Sequence, residues 1–285
     1  MQTGLIATAA VWLVAEVLMV LFDRGNSWIG PSSGVYVFLI WVAVAAIVRK
    51  NEAAEDDVLR TQARGPRLWL RMAVVLATTL AIVGVYTLWF PGIIKLPWLG
   101  PIYRGIEHAV PLGSGPFNFL LYALIPGVIL LLLGTKLREL GLTRSAPRTG
   151  LAAIPCFILP AIFVVMAMLK GHWTVGMLAW WVAHNFLSNG FSEEFFTRGM
   201  VFSHARAFLR KDWALFAQAM IFSLLHFGVT LGPEEHGNVI MAIANVISEN
   251  TPMAIVMGLM ALRTRSLLLP ALVHTSLDTM KDLVM

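Results

Sequence analysis

Three short clusters in the second half of the chain bring together residue types that can activate a water molecule. They are Ser192-Glu193-Glu194-Phe195-Phe196-Thr197-Arg198, Phe222-Ser223-Leu224-Leu225-His226 and His274-Thr275-Ser276-Leu277-Asp278. Carboxylates can activate water, imidazoles can hold it or carry its proton, and both are ordinary zinc ligands. Residues four apart share a helix face, so Glu194 faces Arg198 and the two can pair. Glu193 lies about 100° further round, on the face of Asn185 and Asn189 if the helix continues through Gly190. One carboxylate is then neutralised, while the other is free in a polar stripe and poorly hydrated, as suits a general base for water. His274 and Asp278 are also four apart and project together.

The elements that carry these clusters must be membrane helices. The 285-residue chain is 58% hydrophobic and 13% charged, against about 25% charged in soluble domains. Its mean hydropathy is +0.76. The net charge of +5 resides in short basic clusters between apolar runs, which is how orientation signals are distributed in membrane proteins, and a nucleic-acid partner is not expected. The single cysteine, Cys156, supports neither an intrachain disulfide nor a cysteine metal cluster. An ionisable group inside a span is costly, so two histidines and three carboxylates in three of the last four apolar runs mark a functional site.

A span needs roughly 20 apolar residues, and by that measure about nine runs qualify. They cover 4–22, 30–48, 72–90, 116–134, 151–169, 173–191, 212–229, 238–262 and 266–284. The first lacks a basic flank and reads as an uncleaved span rather than a signal peptide. Most Lys and Arg fall in loops 49–71, 135–150, 198–211 and 263–265, so these four loops and the N-terminus are assigned to the cytoplasm. The expected fold is therefore an all-α polytopic bundle of eight or nine spans. Measured from these boundaries at about 1.5 Å per residue, Glu193, His226 and His274 do not fall at one level, so tilt or unwinding has to bring them together.

The chain divides into 1–150, read as accessory transmembrane helices, and 151–285, read as a catalytic core. In the first part Glu16 is the one acidic residue inside a span, read as a buried polar contact. Segment 91–115, rich in Gly and Pro, reads as an external loop or interfacial segment, and Ser114 between two glycines as turn chemistry. In the eighth run Ser248-Glu249-Asn250-Thr251-Pro252 interrupts the apolar pattern, as the broken helices of transporters do.

The ordered set Glu-Glu-x-x-x-Arg at 193–198, Phe-x-x-x-His at 222–226 and His-x-x-x-Asp at 274–278 resembles the signature of the CPBP family of intramembrane glutamic proteases. This family includes the CAAX prenyl endopeptidase and bacterial relatives linked to bacteriocin processing and abortive infection. Leu137-Arg138-Glu139-Leu140-Gly141-Leu142 is similar to the family's lead-in. The resemblance implies an intramembrane endopeptidase acting without a cofactor on a membrane-associated or lipidated polypeptide, with a bacterial cytoplasmic membrane as its expected location. It implies that Glu193 activates water, that His226 holds this water with it, and that His274 helps bind the oxyanion. Glu194 and Arg198 become the structural pair, with Phe222 and Asn189 in support. Asp278 replaces the family's usual asparagine; an ionised aspartate cannot donate to an oxyanion. Asp278 is then either protonated, or orients His274, or ligates a metal.

Other chemistries have other residue patterns. The chain has no His-Glu-x-x-His and no Gly-x-Gly-Asp. A metal-dependent protease on Glu193, His226 and His274 is one alternative reading, and a transporter or immunity-type membrane protein using the same polar residues is another.

Overall fold

The computed structural model describes residues 2–23, 25, 27–48, 67–90, 92–171, 173–232 and 235–284. Arg49, Lys50, Arg60 and Arg64 of the 49–71 loop, which entered the orientation argument, lie outside them. The described residues form helices and no strand, as a chain surrounded by lipid must when its backbone groups have no water to bond. In order they are α1 (Thr3–Phe22), α2 (Ile29–Ile47), α3 (Leu68–Trp89), α4 (Leu99–Ala109), α5 (Gly115–Leu132), α6 (Thr149–Leu169), α7 (175–205), α8 (Lys211–Leu225), α9 (Phe227–Leu231), α10 (Val239–Thr264) and α11 (Leu268–Val284).

Six of these, α1, α2, α3, α5, α6 and α10, are long and apolar enough to cross a membrane. Eight or nine spans are therefore not reached by length and composition. The remaining three runs became α7, α8 and α11, the helices that carry the clusters. α8 has 15 residues and α11 has 17, and α7 is interrupted by π-helical windows. These helices are shorter or more irregular because they carry the polar groups of a site.

The loops sort into two ends of the bundle. At one end Arg71 Nη2 donates to Leu133 O at 3.0 Å, Arg263 Nε to Val48 O at 2.7 Å, and Gly4 N to Asp212 Oδ2 at 2.9 Å. These contacts join the basic segments. At the other end Trp180 Nε1 donates to Pro111 O at 2.8 Å, and the Ser114 and Ser188 hydroxyls lie 3.3 Å apart. There α4 forms within the Gly- and Pro-rich segment, with Tyr103 packed on Phe117 and Phe90 at centroid distances of 5.3 and 5.7 Å.

The polar stretch in the eighth run does not break the helix. α10 runs for 26 residues with Pro252 inside it. A proline withholds the hydrogen bond that the carbonyl four residues back would receive; that carbonyl, Ser248 O, accepts from Trp12 Nε1 at 3.0 Å instead. Ser248 Oγ donates to Glu16 Oε1 at 2.7 Å, so Glu16 is a buried polar contact. A Cβ on Gly30 would lie 2.2 Å from Ser248 Oγ, which is why glycine stands where α2 crosses this knot.

Candidate active site

α7 positions the first cluster. At about 1.5 Å per residue its 175–205 run is about 45 Å long, longer than a bilayer core of about 30 Å, so a membrane-crossing α7 must tilt or protrude. It contains π windows at Phe186–Gly190 and Phe195–Phe202, flanking Phe191–Glu194. Such windows widen a turn and recur at functional sites.

A polar seam joins α7 to α11, which runs antiparallel to it. Asn185 Nδ2 donates to Asp282 Oδ2 at 2.7 Å, Asn189 Nδ2 to Asp278 Oδ2 at 2.7 Å, and His274 Nδ1 to Glu194 Oε1 at 3.0 Å. On α11 the partners step by four residues each time. On α7 the steps are four and then five, from Asn185 to Asn189 to Glu194, because the π window adds a residue to the turn. This corrects the register expected at 100° per residue: Glu194, not Glu193, continues the asparagine stripe. Gly190 lets the helices meet, since a Cβ there would lie 2.0 Å from Thr275 Oγ1 and 2.8 Å from Ala271 O.

Glu194 is thereby held twice. Besides His274, its Oε1 lies 3.1 Å from Arg198 Nη1, with both side chains fully buried. Arg198 also donates to Thr197 Oγ1 and to Ala254 O at 3.1 Å, and its guanidinium sits 4.6 Å over the Phe222 ring. Phe222 in turn packs against both imidazoles, with centroids 5.1 Å from His226 and 5.8 Å from His274.

Glu193 faces the other way. Its buried Oε2 has no hydrogen-bond partner among the described residues and lies 3.9 Å from His226 Nε2. His226 ends α8, and its Nδ1 lies 3.0 Å from Phe222 O. A carbonyl only accepts, so Nδ1 carries the proton and in the neutral ring Nε2 is an acceptor. Two acceptors 3.9 Å apart form no direct hydrogen bond but can both receive protons of one water molecule. On α11, His274 Nε2 lies 3.7 Å from Asp278 Oδ2. Glu193, Glu194, Arg198, Phe222, His226, His274, Asp278 and Asn189 are thus brought into one cluster. Among the described residues, no three His, Cys, Asp or Glu side chains are placed to enclose a metal ion.

Sequence reasoning missed a second polar network that reaches the cluster from the first half of the chain. Tyr86 at the end of α3 donates to Asn118 Oδ1, whose Nδ2 donates to Ser188 Oγ at 2.9 Å. The hydroxyls of Tyr86 and Tyr122 lie within electrostatic reach of Glu193. Tyr86 and Tyr122 sit in π windows of their own, Val85–Trp89 and Phe119–Leu124. A Cβ on Gly228, two residues past His226, would lie 2.4 Å from Tyr86 O and Thr87 Cα, so that glycine admits α3 to the site. Asn118 in an otherwise apolar run was the legible signal.

Residues 173–280 match the family model of type II CAAX prenyl endopeptidase Rce1-like proteins. This stretch belongs to the CPBP/CAAX protease family. The match takes in all three clusters and begins just before α7. No curated protein and no solved structure matches the chain. The match over 173–280, together with six helices among the described residues that are long and apolar enough to cross a membrane, supports a membrane-embedded protease of the CAAX type.

Proposed function

We propose that the protein is an intramembrane endopeptidase that cleaves a membrane-associated or lipidated polypeptide with a water activated by Glu193. The observation that carries this reading is the unequal treatment of adjacent glutamates. Both have a buried Oε2 without a hydrogen-bond partner among the described residues, but Glu194 Oε1 is bound by Arg198 and His274, whereas Glu193 Oε2 faces the acceptor nitrogen of His226 at 3.9 Å. A water donating to both is oriented, and Glu193 takes its proton as the oxygen attacks the scissile carbonyl carbon. The C–N bond of the tetrahedral intermediate then breaks, and the proton held by Glu193 passes to the leaving amine. His274, protonated on both nitrogens, keeps Nδ1–H on Glu194 Oε1 and donates its Nε2–H, 3.7 Å from Asp278 Oδ2, to the oxyanion. Asp278 accepts from Asn189 and serves to orient His274.

In this reading 151–285 is the catalytic core, and 1–150 provides accessory helices that contribute Tyr86 and Asn118 to the wall of the site. The membrane is a bacterial cytoplasmic membrane, and no cofactor is needed. The test compares membrane proteomes of cells carrying the wild type and the Glu193→Gln variant, with purified protein assayed on the precursors that accumulate. Expected are uncleaved precursors, a fall in cleavage rate by on the order of 10²–10⁴, and wild-type activity that survives chelation. Loss of wild-type activity on chelation with recovery on added zinc would replace the glutamate mechanism by a metal-dependent one.

A further inference from the structure

The cluster is closed toward one end of the bundle and open toward the other. The Arg198 and Glu194 side chains are 0% exposed, Glu193 is 8% and His226 30% exposed, and Asp278 is 24% exposed. Beyond Arg198, on the side of the basic loops, α7 continues with the buried side chains of Met200, Val201 and Phe202. The Leu137–Leu140 turn packs directly on it, with Leu140 O 2.7 Å from where a Cβ on Gly199 would stand. On that side Arg198 Nη2 donates to Ala254 O at 3.1 Å, which Gln218 Nε2 also bonds at 3.0 Å.

Both polar seams lead in the opposite direction. One descends α7 and α11 from Glu194 and His274 through Asn189 and Asp278 to Asn185 and Asp282. The other runs from Tyr86 through Asn118 to Ser188 and Ser114. His226 lies at the C-terminal end of α8, the end remote from Arg210 and Lys211. Tyr86 closes α3, and Ser114 precedes α5. All of these positions lie toward the end of the bundle that carries the described residues 92–115, 173–174 and 235–238. Among the described residues, the opposite end carries Arg67, Arg71, Lys136, Arg138, Arg144, Arg148, Arg206, Arg210, Lys211, Arg263 and Arg265. Short loops rich in Lys and Arg stay in the cytoplasm.

We infer that the site is served from the face opposite the basic loops, and that its substrate is a membrane-anchored polypeptide segment exposed on the extracytoplasmic side. The substrate part rests on the proteolytic reading above; the side of access does not. Water and peptide enter where the seams end, beside α4 and the start of α7, and the Arg198–Glu194 pair with the apolar turns beyond it seals the cytoplasmic side. A C-terminal tail confined to the cytoplasm would meet that seal.

The side of access is tested by thiol labelling in a Cys156→Ser background, which removes the chain's single cysteine. His226→Cys and Asp278→Cys report on the site and Arg144→Cys on the basic face, each treated with a membrane-impermeant maleimide in right-side-out and inverted vesicles. Because thiol labelling follows exposure, the two site variants are expected to label about tenfold faster in right-side-out vesicles, and Arg144→Cys in inverted ones. Labelling of the site variants from the same side as Arg144→Cys, or from neither side, overturns the inference. The substrate part is tested by locating the new termini that depend on Glu193. Extracytoplasmic positions support it, and cytoplasmic positions overturn it. Absence of any Glu193-dependent terminus overturns the proteolytic reading and the substrate assignment with it, while the labelling result still decides which face the site opens to.

Discussion

Replacing Arg198 by alanine removes the cation that holds Glu194 in a fully buried position. The guanidinium contacts Glu194 Oε1 at 3.1 Å, Thr197 Oγ1, Ala254 O at 3.1 Å and the Phe222 ring. Ala254 O would keep a donor, because Gln218 Nε2 also bonds it at 3.0 Å, and Glu194 would keep His274. The uncompensated loss is therefore the ion pair, and removing one partner of such a buried pair costs about 3–5 kcal/mol. At roughly 2–4 °C per kcal/mol for a chain of this size, the melting temperature should fall by about 10 °C. Thermal unfolding in detergent, followed by tryptophan fluorescence, measures this directly. Arg198→Lys keeps the charge but not the planar fork and should fall in between. Adding Glu194→Gln to Arg198→Ala removes the stranded charge and should return part of the loss, with a coupling of about 0.5–3 kcal/mol. An Arg198→Ala protein that melts with the wild type, or a double variant that shows no coupling, would refute the assignment of Glu194 and Arg198 as the structural pair.

Asp278→Asn is expected to lower turnover by on the order of 10² at every pH, since an amide cannot hold His274 as a carboxylate does; activity retained and extended to higher pH would instead make Asp278 a neutral donor to the oxyanion. Tyr86→Phe deletes a hydrogen bond worth about 0.5–1.5 kcal/mol and should lower kcat up to about tenfold while leaving KM unchanged; an unaltered kcat would remove the α3–α5 network from the mechanism. Gly190→Ala forces a methyl group to within 2.0 Å of Thr275 Oγ1 and 2.8 Å of Ala271 O, an overpacking that should cost about 1–3 kcal/mol and lower both melting temperature and cleavage. Wild-type melting in that variant would show that α7 and α11 are not in close contact at Gly190.

Composition alone placed the chain in a membrane, and lipid leaves the backbone little choice but helix. The spacing of Glu194 and Arg198 was sufficient for their pairing, because an i,i+4 contact is local and survives the neighbouring π window. The order of the three clusters pointed to the family. Spacing could not tell which glutamate faces α11: ideal periodicity put Glu193 on the asparagine stripe, and the π window at Phe186–Gly190 turned Glu194 there instead. Nor could it show that Pro252 leaves α10 unbroken, since Trp12, 240 positions earlier, takes the carbonyl that the proline frees. Tyr86 and Asn118 reach the site only because Gly228 and Gly115 let other helices come close. The types of residue in the site and their local pairing were thus determined by the sequence, whereas the separation of Glu193 from Glu194, the 3.9 Å opening to His226 and the face toward which the polar seams run were decided by packing. Those features depend on contacts between segments remote in the chain, which no local period encodes.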